Sequence, residues 1–388
     1  ALIQRGMSFR NMVKGVLYRD MLNNSLFENY QNQRWIFSSF DEDDVKNIST
    51  IFKISEVMAK VLIHNTGSTD VKTIQDILYP EEHYVTDYSQ LTDSNELSKA
   101  VNRLKQAQVN QEQVMVNGDP DADGICGTTI LVAGLRQFGI KTEYDFPIRP
   151  LEGHGLQVRI IDKAVQNGAK IIITSDCGTK DVDAVRYANE CGLDVIITDH
   201  HILGHKLPEA LALVNPCMVP EKNDFHQLAG STVSFKFIQA LYGEHNVEFP
   251  DYLLEFGLMV SALGSLSDRV SLLNPMNRII VSRGVEYFKL TEREGMKALR
   301  DISIGKHLIL KPRHLSRTVI PRLNAPGRIG NPEENIPDST IVVDLLLLGK
   351  GKKNAQKAAK VSRIFKSLLQ ADLIVKEQPN ISGKEAIK

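Results

Sequence analysis

Three carboxylates, Asp119, Asp121 and Asp123, alternate with small or turn-forming residues in the stretch Asn117-Gly118-Asp119-Pro120-Asp121-Ala122-Asp123-Gly124. An acidic turn rarely needs three charges, and like charges this close stay ionised only where cations compensate them. Further along, Asp176 stands in Ser175-Asp176-Cys177-Gly178-Thr179, Asp199 precedes His200 and His201, and Asp268 closes Gly264-Ser265-Leu266-Ser267-Asp268. Carboxylate oxygens with imidazole nitrogens suit a hard divalent ion, Mn2+ or Mg2+, in preference to a thiolate-loving one. Each residue alone has a plainer role. A single Asp in such a place is most often a helix N-cap, which covers Asp176 or Asp268 taken one at a time. For Asp119 a turn role, favoured by Pro120, and metal binding both stay open. His201 taken singly also fits a satisfied structural histidine. His154, in Glu152-Gly153-His154-Gly155, reads as loop geometry rather than a ligand, and Cys177 as a bystander beside Asp176.

The elements that must carry these residues strengthen the case. Strand-like runs at 114–116, 142–146, 170–174 and 194–198 are separated by helical patterns at 125–138, 156–167 and 182–190. Such alternation predicts an α/β fold with a doubly wound, mainly parallel sheet, whose ligands bind at the carboxyl ends of the strands. The acidic stretch, Asp176 and the Asp199-His200-His201 triplet each follow one of these runs directly. Ahead of the sheet, 96–108 reads as an amphipathic helix, 45–78 as a small helical cap and 1–40 as a peripheral extension. Beyond it come helical patterns at 233–241 and 252–263, a turn-rich stretch at 311–337, and helix-favouring sequence from 340 nearly to the end. The expected division is 1–95 for extension and cap, 96–305 for the sheet domain, and 306–388 for a phosphate-binding loop and linker helix. The run Lys350, Lys352, Lys353, Lys357, Lys360, Arg363 and Lys366 is locally basic. On a helix it would spread over more than one face, and a solvated face is its plainer reading.

Composition narrows the class. The chain has 388 residues, 42% of them apolar and 24% charged, and a formal net charge of −1, so it is no polycation drawn to nucleic acid at large. Any nucleic-acid groove must come from local clustering. The four cysteines, Cys126, Cys177, Cys191 and Cys217, form no CxxC pair, which points away from zinc and from a disulfide framework. No apolar run approaches the roughly 20 residues needed to span a bilayer, and no signal-peptide core is present in the first 30 residues. The expectation is a cytoplasmic protein with no membrane partner.

The four loops, DPDADG at 119–124, SDCGT at 175–179, DHH at 199–201 and GSLSD at 264–268, resemble in order the four motifs of the DHH phosphoesterases, and within them the RecJ-type single-strand exonucleases. Supporting stretches are RPLEGHGL at 149–156, LAGSTVSFKFIQAL at 228–241, NR at 277–278 and PRLNAPGRIG at 321–330. The likeness runs from about Trp35 to about Ala371. It implies that Asp123, Asp176, His200 and Asp268 hold one Mn2+ or Mg2+ ion, and that Asp121 with the bridging Asp176 holds a second. Relatives outside the RecJ group place a His four positions before the first of these second-ion aspartates. This chain has Asn117 there, which makes the second site the less secure.

A two-ion site would aim a water at phosphorus with no covalent intermediate. The expected activity is hydrolysis of phosphodiester bonds in single-stranded nucleic acid, DNA by resemblance, with 5′→3′ polarity. His201 is expected to touch the scissile phosphate and Asp199 to orient an imidazole. Arg322, Asn324 and Arg328 are expected to clamp a 5′-terminal phosphate, and Lys236 to line the path of the strand. The resemblance also implies a further domain beyond the linker helix that this sequence does not contain, so the chain is read as a fragment or a trimmed form. Two rivals stay open. One is a small-substrate enzyme of the same chemistry acting on short oligonucleotides, cyclic dinucleotides or pyrophosphate, and the other a non-catalytic replication scaffold of the same fold.

Overall fold

In the computed structural model, residues 26–28, 34–36, 40–220, 223–304, 310–378 and 381–387 are described. The expected extension over 1–40 lies outside these apart from a short antiparallel hairpin, β1 (Leu26–Glu28) with β2 (Arg34–Ile36). The chain forms two units, 1–79 and 80–388. In the first, Asp41, Ser55 and Asp70 accept backbone N–H groups at the starts of α1 (Glu42–Phe52), α2 (Glu56–Thr66) and α3 (Val71–Leu78). Side-chain caps of this kind replace the hydrogen bonds that a helix's first turn lacks. Val45, Ile48, Ala59, Leu62, Ile74 and Ile77 form the small core that these three helices share.

The second unit is built on five parallel strands in the order β4-β3-β5-β6-β7: β3 (Gln113–Gly118), β4 (Lys141–Asp145), β5 (Ala169–Ser175), β6 (Asp194–Thr198) and β7 (Ala212–Val214). Side chains alternate across a strand, so one set of residues feeds each face. Val114, Val116, Ile171, Ile173 and Ile196 enter one apolar layer, while Met115, Ile172, Val195, Ile197 and Leu213 enter the other. The second layer is closed by α6 (Val158–Gln166) and α7 (Val182–Glu190) through Ile160, Ile161, Ala164, Val185 and Ala188. The first, larger layer holds α4 (Ser94–Val109), α5 (Ala122–Gln137), α8 (Gly230–Glu244) and α9 (Asp251–Ser267). α8 is buried along its first 13 residues, which is why its apolar residues are not confined to one stripe. From β3 the chain crosses to β4 and then returns to the other side of β3 as β5, so the winding reverses beside β3. Crevices of α/β sheets open at such a reversal.

Sequence periodicity missed several elements. β7 has three residues, too few to show a period. The helices α10 (Pro275–Leu290) and α11 (Glu294–Ile304) carried no expectation. The stretch at 311–337, expected to be turn-rich, is a correction: it is helical to residue 329, through a short turn at Pro312–His314, a π-helical segment Leu315–Val319 and α12 (Ile320–Ile329). Its prolines suggested breaks. Pro312 instead lies in a first-turn position where no N–H is needed, the widened π turn precedes Pro321, and Pro326 stands inside α12 without ending it. The chain ends in α13 (Thr340–Leu346), α14 (Lys352–Glu377) and a short helix at Gly383–Ile387. The units part at 79/80, whereas the expected boundaries were 95/96 and 305/306. α4 packs against β7, and the C-terminal helices belong to the same unit as the sheet. Among the described residues, no helix is long and apolar enough to cross a membrane.

Candidate metal centre

Parallel pairing runs one residue past the strand ends and thereby sets the acidic residues in a row. The backbone N–H of Asp119 donates to Ser175 O, that of Asp176 to Thr198 O and that of Asp199 to Val214 O, at 3.1, 3.0 and 3.1 Å. Each aspartate is the first residue after its strand, held by the next strand over. Asp176 has φ +61°, a left-handed conformation uncommon for a residue with a side chain.

Asp121 is the N-cap of α5, its Oδ1 accepting from Asp123 N and Gly124 N at 3.0 and 3.1 Å. In the first turn of the same helix, Asp123 is 2% exposed and meets the start of α8, where Gly230 N donates to its Oδ2 at 2.7 Å and Ser231 N to its Oδ1 at 3.1 Å. A helix N-terminus favours an anion there. The close approach depends on two glycines. An ideal Cβ on Gly230 would collide with Asp176 Oδ1, and one on Gly264 with Asp123 Oδ1. Asp268 follows the last turn of α9.

The distant motifs converge. One ligand atom from each of Asp123, His200 and Asp268 lies within 4.8 Å of the others, and the same holds for Asp119, Asp121 and Asp176 and for Asp176, His200 and His201. His200 Nε2 stands 3.1 Å from Asp176 Oδ1 and 4.0 Å from Asp268 Oδ2. Asp176 Oδ1 is buried and accepts no hydrogen bond, although an imidazole nitrogen faces it. Two ligand atoms aimed at one point, with nothing between them to satisfy both, fit a cation.

Burial, with charge repulsion added to it, tells the same story. Burial pushes the Asp123 carboxyl up to about 6, with His200 opposing and Asp121 adding to the shift. Burial, then the charges of Asp123 and Asp121, raise Asp176 well above the usual carboxylate range. Burial also raises Asp119, where Asp121 adds and His154 opposes, and it raises Asp268. Four carboxylates kept from easy ionisation make up a site that a divalent cation would relieve. Only oxygen and imidazole nitrogen are offered, so the donor set fits Mn2+ or Mg2+.

Asp199 is different in kind. It is 1% exposed, and its Oδ1 accepts from His200 N at 2.8 Å, His201 N at 3.2 Å and His201 Nδ1 at 2.7 Å, while its Oδ2 accepts from Thr179 N at 3.0 Å. Burial opposes its ionisation, yet the hydrogen bonds from His201 and Thr179 hold its carboxyl down at about 2. In turn Asp199 raises the pKa of His201, whose side chain is half exposed. The imidazole that Asp199 orients is therefore that of His201.

The remaining candidates fall elsewhere. Lys236 is a correction: it is 0% exposed, with its Nζ donating to Tyr84 O at 2.6 Å and Val85 O at 2.8 Å, and so cannot line the path of a strand. Its place on α8, a helix buried on every side, is the reason. Asn324 sits at 9% exposure on α12 and accepts from Ala122 N at 2.9 Å, bracing the acidic loop. Arg322, half-buried, donates to Thr318 O, and burial lowers its pKa. Arg328 is exposed and pairs with Asp372 at 3.2 Å. His154, set aside in the sequence as loop geometry, donates from Nδ1 to Asp119 Oδ1 at 2.8 Å. Its one sequence signal was an imidazole between two glycines after a strand. The amides of Gly230 and Ser231 had none.

Residues 113–261 match the DHH family, N-terminal domain. The chain is 33% identical over 296 residues to the single-stranded-DNA-specific exonuclease RecJ of Bacillus subtilis, covering 76% of this chain and 36% of that protein. To the RecJ of Escherichia coli it is 34% identical over 266 residues, 65% of this chain and 44% of that one. It thus spans less than half the length of these curated relatives. Among solved structures, exonuclease RecJ bound to manganese matches with a TM-score of 0.62 at 25% identity, over 73% of this chain and 69% of that one. RecJ from Thermus thermophilus in complex with Mn2+ shares the fold with a TM-score of 0.67 at 21% identity, over 89% of this chain and 47% of that one. The chain carries a DHH-family domain and is a homologue of the RecJ exonucleases.

Proposed function

We propose that the DHH-family domain of this chain hydrolyses phosphodiester bonds of single-stranded DNA from the 5′ end, using two divalent ions. The observation that carries this reading is the convergence of two ligand groups, Asp123 with His200 and Asp268, and Asp119 with Asp121 and Asp176. The RecJ homologues, single-stranded-DNA-specific exonucleases, support the substrate class, and the 5′ polarity follows from the resemblance of the four motifs to the RecJ type. Asp123, His200, Asp268 and Asp176 would hold one ion, and Asp121, Asp176 and Asp119 the other. When bound, the ions supply Lewis acidity and activate a water for attack on phosphorus.

The chain's own residues do the positioning. Asp123 is fixed by two amides of α8 and Asp121 by two of α5, so neither carboxylate must reorganise. His201, turned by Asp199 and half exposed, would donate a hydrogen bond to a phosphate oxygen. Arg322 and Arg328 on α12 would bind a terminal phosphate, with Arg328 leaving or sharing Asp372. Asn324 would hold the helix that carries them against the acidic loop.

The test is Mn2+ titration of the intact chain combined with digestion of end-labelled strands. The expected result is Mn2+ binding, mononucleotide release from the 5′ end of single strands, and a fall of at least two to three orders of magnitude in Asp176→Asn. Selective cleavage of dinucleotides would favour the small-substrate reading. No Mn2+ binding, or full turnover in Asp176→Asn, would overturn the proposal.

A further inference from the structure

Helix α14 carries six basic side chains in fifteen residues, Lys352, Lys353, Lys357, Lys360, Arg363 and Lys366, and all six are exposed. At about 100° per residue they span roughly half of the helix circumference over about 21 Å of length. The other side is apolar and packed, through Ala358, Val361, Phe365 and Leu368. No acidic residue occurs between 352 and 371. None of the six has an ion pair among the described residues, whereas Lys376, a turn or more further along the same helix, pairs with Asp372 at 2.6 Å. In a chain of net charge −1, so one-sided a stripe is a local exception.

We infer that this stripe is a track for the sugar-phosphate backbone of a single strand, holding the part of the substrate away from the bond being cut. The inference rests on the proposed nuclease reading and adds a second contact region to it. Partner chemistry follows from the side chains. Five of the six are lysines, flexible point charges with no aromatic or large apolar residue exposed among them. Protein interfaces are depleted in lysine at their cores and need an apolar anchor, whereas a phosphodiester chain needs only repeated cations at each turn. Position follows from packing. α14 lies against α12, tied by Arg328 to Asp372, and α12 is tied by Asn324 to the loop of Asp121 and Asp123. One helix therefore separates the stripe-bearing helix from the metal centre. A cleft rich in carboxylates repels a polyanion, and a cationic track on the same unit would offset that repulsion.

The experiment compares two double charge reversals in the intact chain, Lys357→Glu with Lys360→Glu on the stripe, and Lys141→Glu with Lys170→Glu at the opposite end of the sheet. Binding of phosphorothioate-linked oligothymidylate, a trimer and a strand of about 20 nucleotides, is followed by anisotropy in Mn2+ across a salt series. The stripe pair is expected to weaken binding of the long strand about tenfold or more and to make the salt dependence shallower by about 1.4 in slope, two contacts at roughly 0.7 each. The control pair should change that affinity less than about threefold, and the trimer should show a much smaller difference between the two variants. Lys357→Gln with Lys360→Gln provides a milder pair, expected to show the same slope change, should the reversals lower the melting temperature. Equal losses from both pairs, or unchanged long-strand binding in the stripe variants, would overturn the track. If the unaltered chain binds neither strand, the nuclease reading itself fails.

Discussion

Asp176 shows how much one residue carries: it is the first position after β5, its backbone is left-handed, and its Oδ1 lies between two groups of ligands without a hydrogen bond of its own. What keeps room for it is the missing side chain of Gly230. A methyl there would press on the Asp176 carboxylate from the start of a buried helix that cannot retreat. Gly230→Ala should therefore displace the carboxylate and weaken Mn2+ affinity about tenfold or more, from an overpacking strain of about 1–3 kcal/mol, while the chain stays folded. Calorimetric titration with Mn2+ checks this, and unchanged affinity would remove Gly230 from the account. Asp121 illustrates why single residues mislead. It is a helix N-cap, the plain reading of an aspartate in that position, and it stands in the ligand group as well.

At the scale of elements, α8 is the pivot. Its first amides grip Asp123, while further along Lys236 reaches the carbonyls of Tyr84 and Val85, and Gln239 reaches Val85 O at 3.1 Å. Burial lowers the Lys236 ammonium to about 7 from an ordinary 10.5. Between those values the unfolded chain binds a proton that the folded chain releases, so folding stability should rise with pH from about 7 to about 10.5, by up to roughly 1.4 kcal/mol per pH unit. Lys236→Met should flatten that rise, whatever it does to stability at a single pH. Denaturant melts at pH 7 and pH 9.5 decide it, and an identical slope in the variant would refute the shift. α12 and α14 mark the limits of pattern reading. Prolines hid a helix in α12, and the basic run on α14 lies on the solvated side that was its plainer reading, while which apolar residues close the other side was decided by packing.

Across the whole molecule, the sheet lines up charges that the folded chain alone leaves in conflict. Binding of an ion to the folded state but not to the unfolded one stabilises by mass action, about 2.7 kcal/mol at a hundred times the dissociation constant. Mn2+ should thus raise the melting temperature in proportion to its logarithm, and Asp176→Asn should lose most of that rise. Without metal the same variant should melt no lower than the unaltered chain, because it replaces a carboxyl whose ionisation burial and neighbouring charges oppose with a neutral amide. A metal-free melting temperature well below that of the unaltered chain would mean that Asp176 is a structural residue.

From the sequence alone one could read the α/β class, four of the five sheet strands, and the acidic and histidine residues that come together, because strand and helix periods and strand-end loops are local properties. Tertiary structure decided the rest. Strand register carries Asp119, Asp176 and Asp199 past their strand ends onto neighbouring carbonyls, and burial on every side takes Lys236 out of reach of any strand. Packing gives Asp123 its amides and His154 its carboxylate partner, contacts between residues 35 to 108 positions apart. Such contacts leave no periodic trace in the residues that make them, since the chain brings them together only when the helices have closed over the sheet.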